Sequence, residues 1–306
     1  MRAPRRSGRV LGGILAVATA AALVGCAPAA VPSVDQGGRI AVVASTSVYG
    51  DIARAIGGDA VTVTSLIMDT TQDPHSFEAS AQDQLAVAKA DVVIENGGGY
   101  DDFVDSLLSG SGAQPELINA VTISGLDHDG EAFNEHVWYD FTAMRAVGDR
   151  LATVFTSLDA AHRKDFAAGA AAFSASLAEL ERDAAAVKQS HAGVGVVVSE
   201  PVPLYLLAAC GLEDETPAAF SRAVEEGSGV APALMHATLR LFTEKRVQLF
   251  VYNAQTSGPE TEQLLDAAKA SGIPTVAVTE TLPPNTTYLA WMADNLAKVK
   301  AALNRG

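Results

Sequence analysis

Four short segments carry nitrogen and oxygen donors in contexts that could bind a metal. Asp73-Pro74-His75-Ser76-Phe77-Glu78 follows a β-rich run ending at Ile67, and Asn134-Glu135-His136-Val137-Trp138-Tyr139-Asp140 opens a helical region. Val198-Ser199-Glu200-Pro201 and Val278-Thr279-Glu280-Thr281-Leu282-Pro283 each end a strand-like run with a carboxylate. Ligands of open α/β sheets bind beyond the carboxyl ends of the strands, and Glu200 and Glu280 fall there. Two imidazoles and two carboxylates from four segments would make an N2O2 donor set for a divalent transition metal. Taken singly, a loop histidine or a strand-end glutamate is a weak signal; the combination carries the reading.

The elements that must position these residues alternate between β-rich and helical patterns, which argues for an α/β fold. Strands are expected at 39–44, 61–67, 91–95, 195–199, 248–252 and 275–279. Several are unbroken Val/Ile runs, the pattern of parallel strands buried on both faces. Helical patterns at 82–90, 233–245, 260–271 and 287–303 supply crossovers between them. From 141 to 189 there is no proline and no convincing strand. Within that stretch Phe166, Ala170, Phe173, Leu177 and Leu180 recur at spacings of four, three, four and three, one apolar stripe on a helix. A single helix over 165–189 would be roughly 38 Å long at 1.5 Å per residue, enough to join two lobes. Two shorter helices packed in the first lobe are the alternative. No internal repeat is detectable.

The 306 residues, 48% hydrophobic and 19% charged, are enough for two lobes with cores of their own. A formal net charge of -15 argues against a nucleic-acid partner, because nothing would neutralise phosphates. Four arginines (Arg2, Arg5, Arg6 and Arg9) precede an apolar run from Val10 to Val24. That run is shorter than the roughly 20 residues a membrane-crossing helix needs and matches a secretory signal. Leu23-Val24-Gly25-Cys26 resembles the lipobox of bacterial lipoproteins, which implies cleavage before Cys26 and lipid on its thiol. The expected division is a signal over 1–25, a tether over 26–38, an N-terminal α/β lobe over 39–164, a linking helix over 165–190 and a C-terminal α/β lobe over 191–306. Cys210, in an apolar helical run, is expected to be a buried small hydrophobe.

From about Arg39 to Leu303 the chain resembles the metal-binding receptors of bacterial ABC importers, the solute-binding cluster that handles manganese, zinc and iron. The resemblance rests on Asp73-Pro74-His75-Ser76-Phe77-Glu78, His136-Val137-Trp138, Lys89-Ala90-Asp91 before a Val/Ile strand, and Leu282-Pro283-Pro284 with Tyr288 and Trp291-Met292. It implies a lobe–helix–lobe fold with one metal ion in the cleft between the lobes. Position by position, His75 and His136 match the family's two first-lobe histidines. Glu200 falls where members carry histidine or a carboxylate, and Glu280 where many carry aspartate. Glu78, Tyr139, Asp140 and Asn253 lie close enough in sequence to orient ligands, with structural capping an equal alternative for each. The resemblance further implies an exported monomer, lipid-anchored by Cys26 on the outer face of the membrane, that delivers its ion to a permease with a cytoplasmic ATPase.

Zinc-type members often carry a long histidine-rich loop before the second histidine; here that stretch, 125–134, is short and holds only His128. Zinc favours nitrogen and sulfur donors, whereas manganese and ferrous iron accept more oxygen. The same ligands would still bind zinc more tightly than manganese by the usual divalent order, so zinc stays in second place and the expected order is Mn2+, then Zn2+, then Fe2+. Two other classes remain to be weighed. A metal-dependent hydrolase is opposed by the absence of His-Glu-x-x-His, of a Gly-x-Ser-x-Gly elbow and of a phosphate-cradling glycine loop. A surface adhesin of the same fold would share the tether.

Overall fold

The computed structural model describes residues 38–126 and 133–305. The expected signal over 1–25, Cys26, nearly all of the tether and His128 lie outside the described residues. No helix among the described residues is long and apolar enough to cross a membrane.

Among the described residues, eight strands form two four-stranded parallel sheets. The first contains β1 (Ile40–Thr46), β2 (Val61–Ile67), β3 (Val92–Glu95) and β4 (Glu116–Asn119) in the order β2-β1-β3-β4. The second contains β5 (Gly195–Val198), β6 (Glu213–Asp214), β7 (Leu249–Asn253) and β8 (Thr275–Val278) in the order β6-β5-β7-β8. Both sheets thus wind identically, a repeat of topology that leaves no repeat in the sequence. The pairings Val42↔Val92 in one sheet and Val196↔Leu249 in the other mark the points where the strand order of each sheet reverses. A crevice opens there at the carboxyl ends of the strands.

The six expected strands form within two residues of their expected ends. β4 and β6 were not legible. Both are edge strands, Leu117 of β4 is exposed, and β6 is only the acidic pair Glu213-Asp214. An edge strand with little to bury shows no hydrophobic run.

Helices α1 (Ser47–Gly57), α2 (Ala81–Val87), α3 (Phe103–Ser111), α4 (Ala120–Ser124) and α5 (Phe141–Leu158) accompany the first sheet. The long α6 (Arg163–His191) follows, then α7 (Leu204–Ala209), α8 (Ala218–Glu225), α9 (Pro232–Thr243), α10 (Pro259–Ser271) and α11 (Tyr288–Leu303). Alternate strand residues face opposite layers. Val43 and Val93 pack with Val87, Val104 and Leu107 on one side of the first sheet. Val197 and Phe250 pack with Phe220, Phe242 and Leu264 on one side of the second. The remaining faces, with Val42 and Ile94 from the first sheet and Val196, Val198 and Val251 from the second, belong to one continuous core.

Helix α6 runs through that core. At 29 residues it is about 44 Å long, a single helix rather than two. Its stripe is buried as expected at Phe166, Ala170, Phe173, Leu177 and Leu180, and continues through Ala184 and Val187. Along its length it meets α1, α5, α7 and α11. Phe166 lies against Phe155 with ring centroids 5.6 Å apart, and Phe173 against Tyr288 at 5.9 Å. Two parallel sheets joined by this shared helical core hold their crevices facing one another.

Candidate metal centre

Each expected donor is carried by the carboxyl edge of a sheet or by the loops beside it. His75 sits in a 3-10 turn, Pro74–Ser76, that Asp73 starts by accepting the His75 amide at 2.9 Å, with Pro74 at the first position. Proline there lacks only an N–H that would be unpaired anyway. His136 precedes the turn Val137–Tyr139 and is completely buried, while 29% of the His75 side chain is exposed. Tyr100 and Trp138 wall the two imidazoles, with Tyr100 5.1 Å from the His75 ring and Trp138 5.0 Å from the His136 ring, centroid to centroid.

The structure brings His75, His136 and Glu280 together, with one donor atom from each lying within 4.8 Å of the others. The Nε2 of His136 and one carboxylate oxygen of Glu280 are buried there without hydrogen-bond partners. Buried polar atoms are normally paired, so such exceptions call for an explanation, and beside a third donor, His75, a bound cation supplies one. The Nδ1 of His136 lies 2.7 Å from the Oδ1 of Asn134. Asn134 donates its Nδ2 to the Pro201 carbonyl at 2.9 Å, which fixes the amide orientation. Its oxygen can only accept, so His136 is protonated on Nδ1 and presents the Nε2 lone pair to the site.

Glu200 is one step removed from these three. Its carboxylate accepts from Asn253 at 2.7 Å and from Thr256 at 2.7 and 2.9 Å. The same Asn253 Nδ2 donates to Glu280 at 2.6 Å, so a single amide spans both glutamates. Among the other residues named from sequence, Tyr139 donates to the Thr279 carbonyl at 2.7 Å, immediately before Glu280. Asp140 caps α5 by accepting the Ala143 amide at 2.8 Å. Glu78 is exposed.

Two donors escaped the sequence reading. Glu135 and Glu225 form a second group with His75, again with donor atoms within 4.8 Å of one another. Glu135 was visible inside the Asn134-Glu135-His136 segment. Glu225 ends α8 in an ordinary acidic pair, Glu225-Glu226, and nothing in the sequence distinguishes it from a solvated helix end.

Electrostatics set these groups apart from surface carboxylates. Burial, then the charge of Glu200, pushes Glu280 up to about 8. Burial and the neighbouring Glu135, Glu200 and Glu280 push Glu225 up to about 9. Burial raises Glu135 and Glu200 as well, and drives His136 well below the usual histidine range. Neutral imidazole beside crowded carboxylates is an environment that a divalent cation would relieve.

Comparison with known proteins agrees with this architecture. The family model described as "ZnuA: Zinc-uptake complex component A periplasmic" matches residues 42–302. The chain belongs to this family. Among curated ZnuA-like relatives, the manganese-binding lipoprotein MntA of Bacillus subtilis (strain 168) is 30% identical over 167 residues, 53% of this chain and 54% of that one. The chain therefore spans about half the length of that relative. The iron ABC transporter substrate-binding lipoprotein MtsA of Streptococcus pyogenes serotype M1 is 24% identical over 98% of this chain and 99% of its own. A cadmium-bound periplasmic metal binding protein from Candidatus Liberibacter asiaticus has the same fold. Its TM-score is 0.69 at 19% identity, covering 87% of this chain and all of that one.

Proposed function

We propose that this ZnuA-family chain is an extracytoplasmic receptor that captures one divalent transition-metal ion and delivers it to an ABC permease driven by a cytoplasmic ATPase. His75, His136 and Glu280 would bind the ion directly. Glu200, held against Glu280 by Asn253, would supply the fourth ligand after a small rotation. The observation that carries the reading is the pair of buried, unpartnered atoms, His136 Nε2 and a Glu280 oxygen, in one donor group with His75. Manganese is the favoured cargo and zinc the next, with Fe2+ possible, because the nearby donors are mostly carboxylate oxygens. The names of the manganese and iron relatives support that range.

The same proposal has the chain act as a monomeric receptor and not as a metal-dependent hydrolase or an adhesin. It also keeps the division into a signal (1–25), a tether (26–38), two lobes (39–164 and 191–306) and a linking helix (165–190), with lipid on Cys26. The lipoprotein relatives support export and anchoring. Metal analysis of apo protein reloaded with Mn2+ or Zn2+ is expected to find one ion per chain, lost in His136→Ala and in Glu280→Gln. Full retention by both variants would overturn the ligand assignment. Unchanged labelled-lipid incorporation by Cys26→Ala would overturn the anchor.

A further inference from the structure

We infer that Glu225 and Glu135 form with His75 an outer docking site, from which the ion passes to the buried donors without leaving the His75 imidazole. This inference rests on the receptor reading above. The outer donors line an open cavity of about 540 Å³ together with Asp73, Arg222 and Glu226. His75 Nε2 lies 3.9 Å from Glu135 Oε1. The His75 side chain is 29% exposed, so an ion arriving from solvent meets it first. His136 is fully buried, and Glu280 is only 2% exposed.

The two groups share His75 and touch at a second point. His136 Nε2 faces Glu225 Oε1 at 3.6 Å, and both atoms are buried without hydrogen-bond partners. Donors bound about 2.1 Å from one ion stand roughly 3–3.5 Å from each other. His136 and Glu225 thus stand close to the spacing that one ion imposes, and His75, which groups with each of them separately, would turn between them to hold the ion midway. Glu280 and Glu225 do not fall in a common group, so the ion would exchange one carboxylate for the other during the passage. His136, whose Nε2 is orphaned and aimed at Glu225, is what separates this arrangement from an ordinary acidic surface. Glu225 is carried by α8 in the second lobe, while Glu135 and His75 belong to the first. The outer site consequently exists only while the lobes face each other.

Stopped-flow mixing of apo protein with Mn2+, followed by tryptophan fluorescence, tests the passage. Glu225→Gln is expected to retain one ion per chain and a dissociation constant within threefold of the parent, while association and dissociation both slow about tenfold. Glu226→Gln removes the same charge from the same cavity but no donor of the group. It is expected to slow association less than threefold, an effect that high salt abolishes. Equal rates in the two variants would overturn the inference. So would faster release and more than tenfold weaker binding in Glu225→Gln, because Glu225 would then be a permanent ligand. Glu135→Gln gives an independent reading with the same expectations should Glu225→Gln fold poorly. Failure of His136→Ala to lose the ion would instead sink the receptor's ligand assignment, whatever the rates.

Discussion

Asn134 holds His136 in a single tautomer, with its Oδ1 2.7 Å from the ring Nδ1 and 3.1 Å from the His136 amide. Because its Nδ2 is engaged by the Pro201 carbonyl of the second lobe, the same side chain ties the orientation of the imidazole to the closure of the cleft. Residues that orient a metal-bound histidine typically contribute 10–100-fold in affinity. Asn134→Ala is expected to weaken Mn2+ or Zn2+ binding by about that factor while leaving one site per chain, as read by competition with a chelating dye. Unchanged affinity would mean that the ring is held by its aromatic walls alone.

Proton exchange on metal binding should be dominated by carboxylates. His136 is already neutral near pH 7 because burial lowers its pKa, so it has no proton to surrender. Glu280, raised to about 8, does. Calorimetry at pH 7 in buffers of different ionisation enthalpy is expected to report net proton release on loading, with affinity still rising between pH 7 and 8. A flat affinity profile across that interval would contradict the placement of Glu280.

Stability of the metal-free protein should run the opposite way. Glu280 and Glu225 are raised from 4.5 to about 8 and about 9, so the folded state holds protons that the unfolded state has lost. Stability therefore falls as pH rises through that window. The depressed His136 adds a loss only on the acid side of about 6.5, where the unfolded imidazole charges. The apo melting temperature is thus expected to decline from pH 6.5 to 9, whereas the Mn2+-loaded protein declines less steeply, because the ion replaces the Glu280 proton. Parallel curves for the two forms, measured by scanning fluorimetry, would count against the metal replacing that proton.

Gln255 clasps the Glu280 loop. Its Oε1 accepts the amides of Glu280 and Thr281, both at 3.2 Å, and its Nε2 donates across the cleft to the Gln72 carbonyl at 2.8 Å. Hydrogen bonds of this kind contribute about 1 kcal/mol each. Gln255→Ala is expected to speed metal release about tenfold and to raise amide exchange around Glu280, with the radius of gyration unchanged. A large change in overall dimensions without local exchange would locate release in lobe rotation instead.

The long helix depends on one close approach. A Cβ on Gly169 of α6 would lie 2.5 Å from the Ile56 carbonyl oxygen and 3.0 Å from that of Ala55. Alanine is the better helix former by about 1 kcal/mol, but here it would push α6 away from α1. Overpacking costs typically 1–3 kcal/mol. Gly169→Ala is expected to lower the melting temperature by several degrees, and a rise would show that the two helices can separate freely.

The sequence by itself determined the alternation of strands and crossovers, the long apolar stripe of α6 and the candidate donors His75, His136, Glu200 and Glu280. These features are local: unbroken Val/Ile runs, a 3.6-residue period and strand-end carboxylates can be read along the chain. The buried strands were legible because they must be apolar throughout, while β4 and β6, with exposed or acidic residues, had no such constraint. Only the tertiary structure decided which donors meet. It drew His75, His136 and Glu280 into one group and set Glu200 behind Asn253. It also carried Glu225 from the end of α8 to within 3.6 Å of His136. That partnership depends on where two sheets of identical winding face each other across a shared helix, and a contact between residues 89 positions apart has no periodicity to betray it.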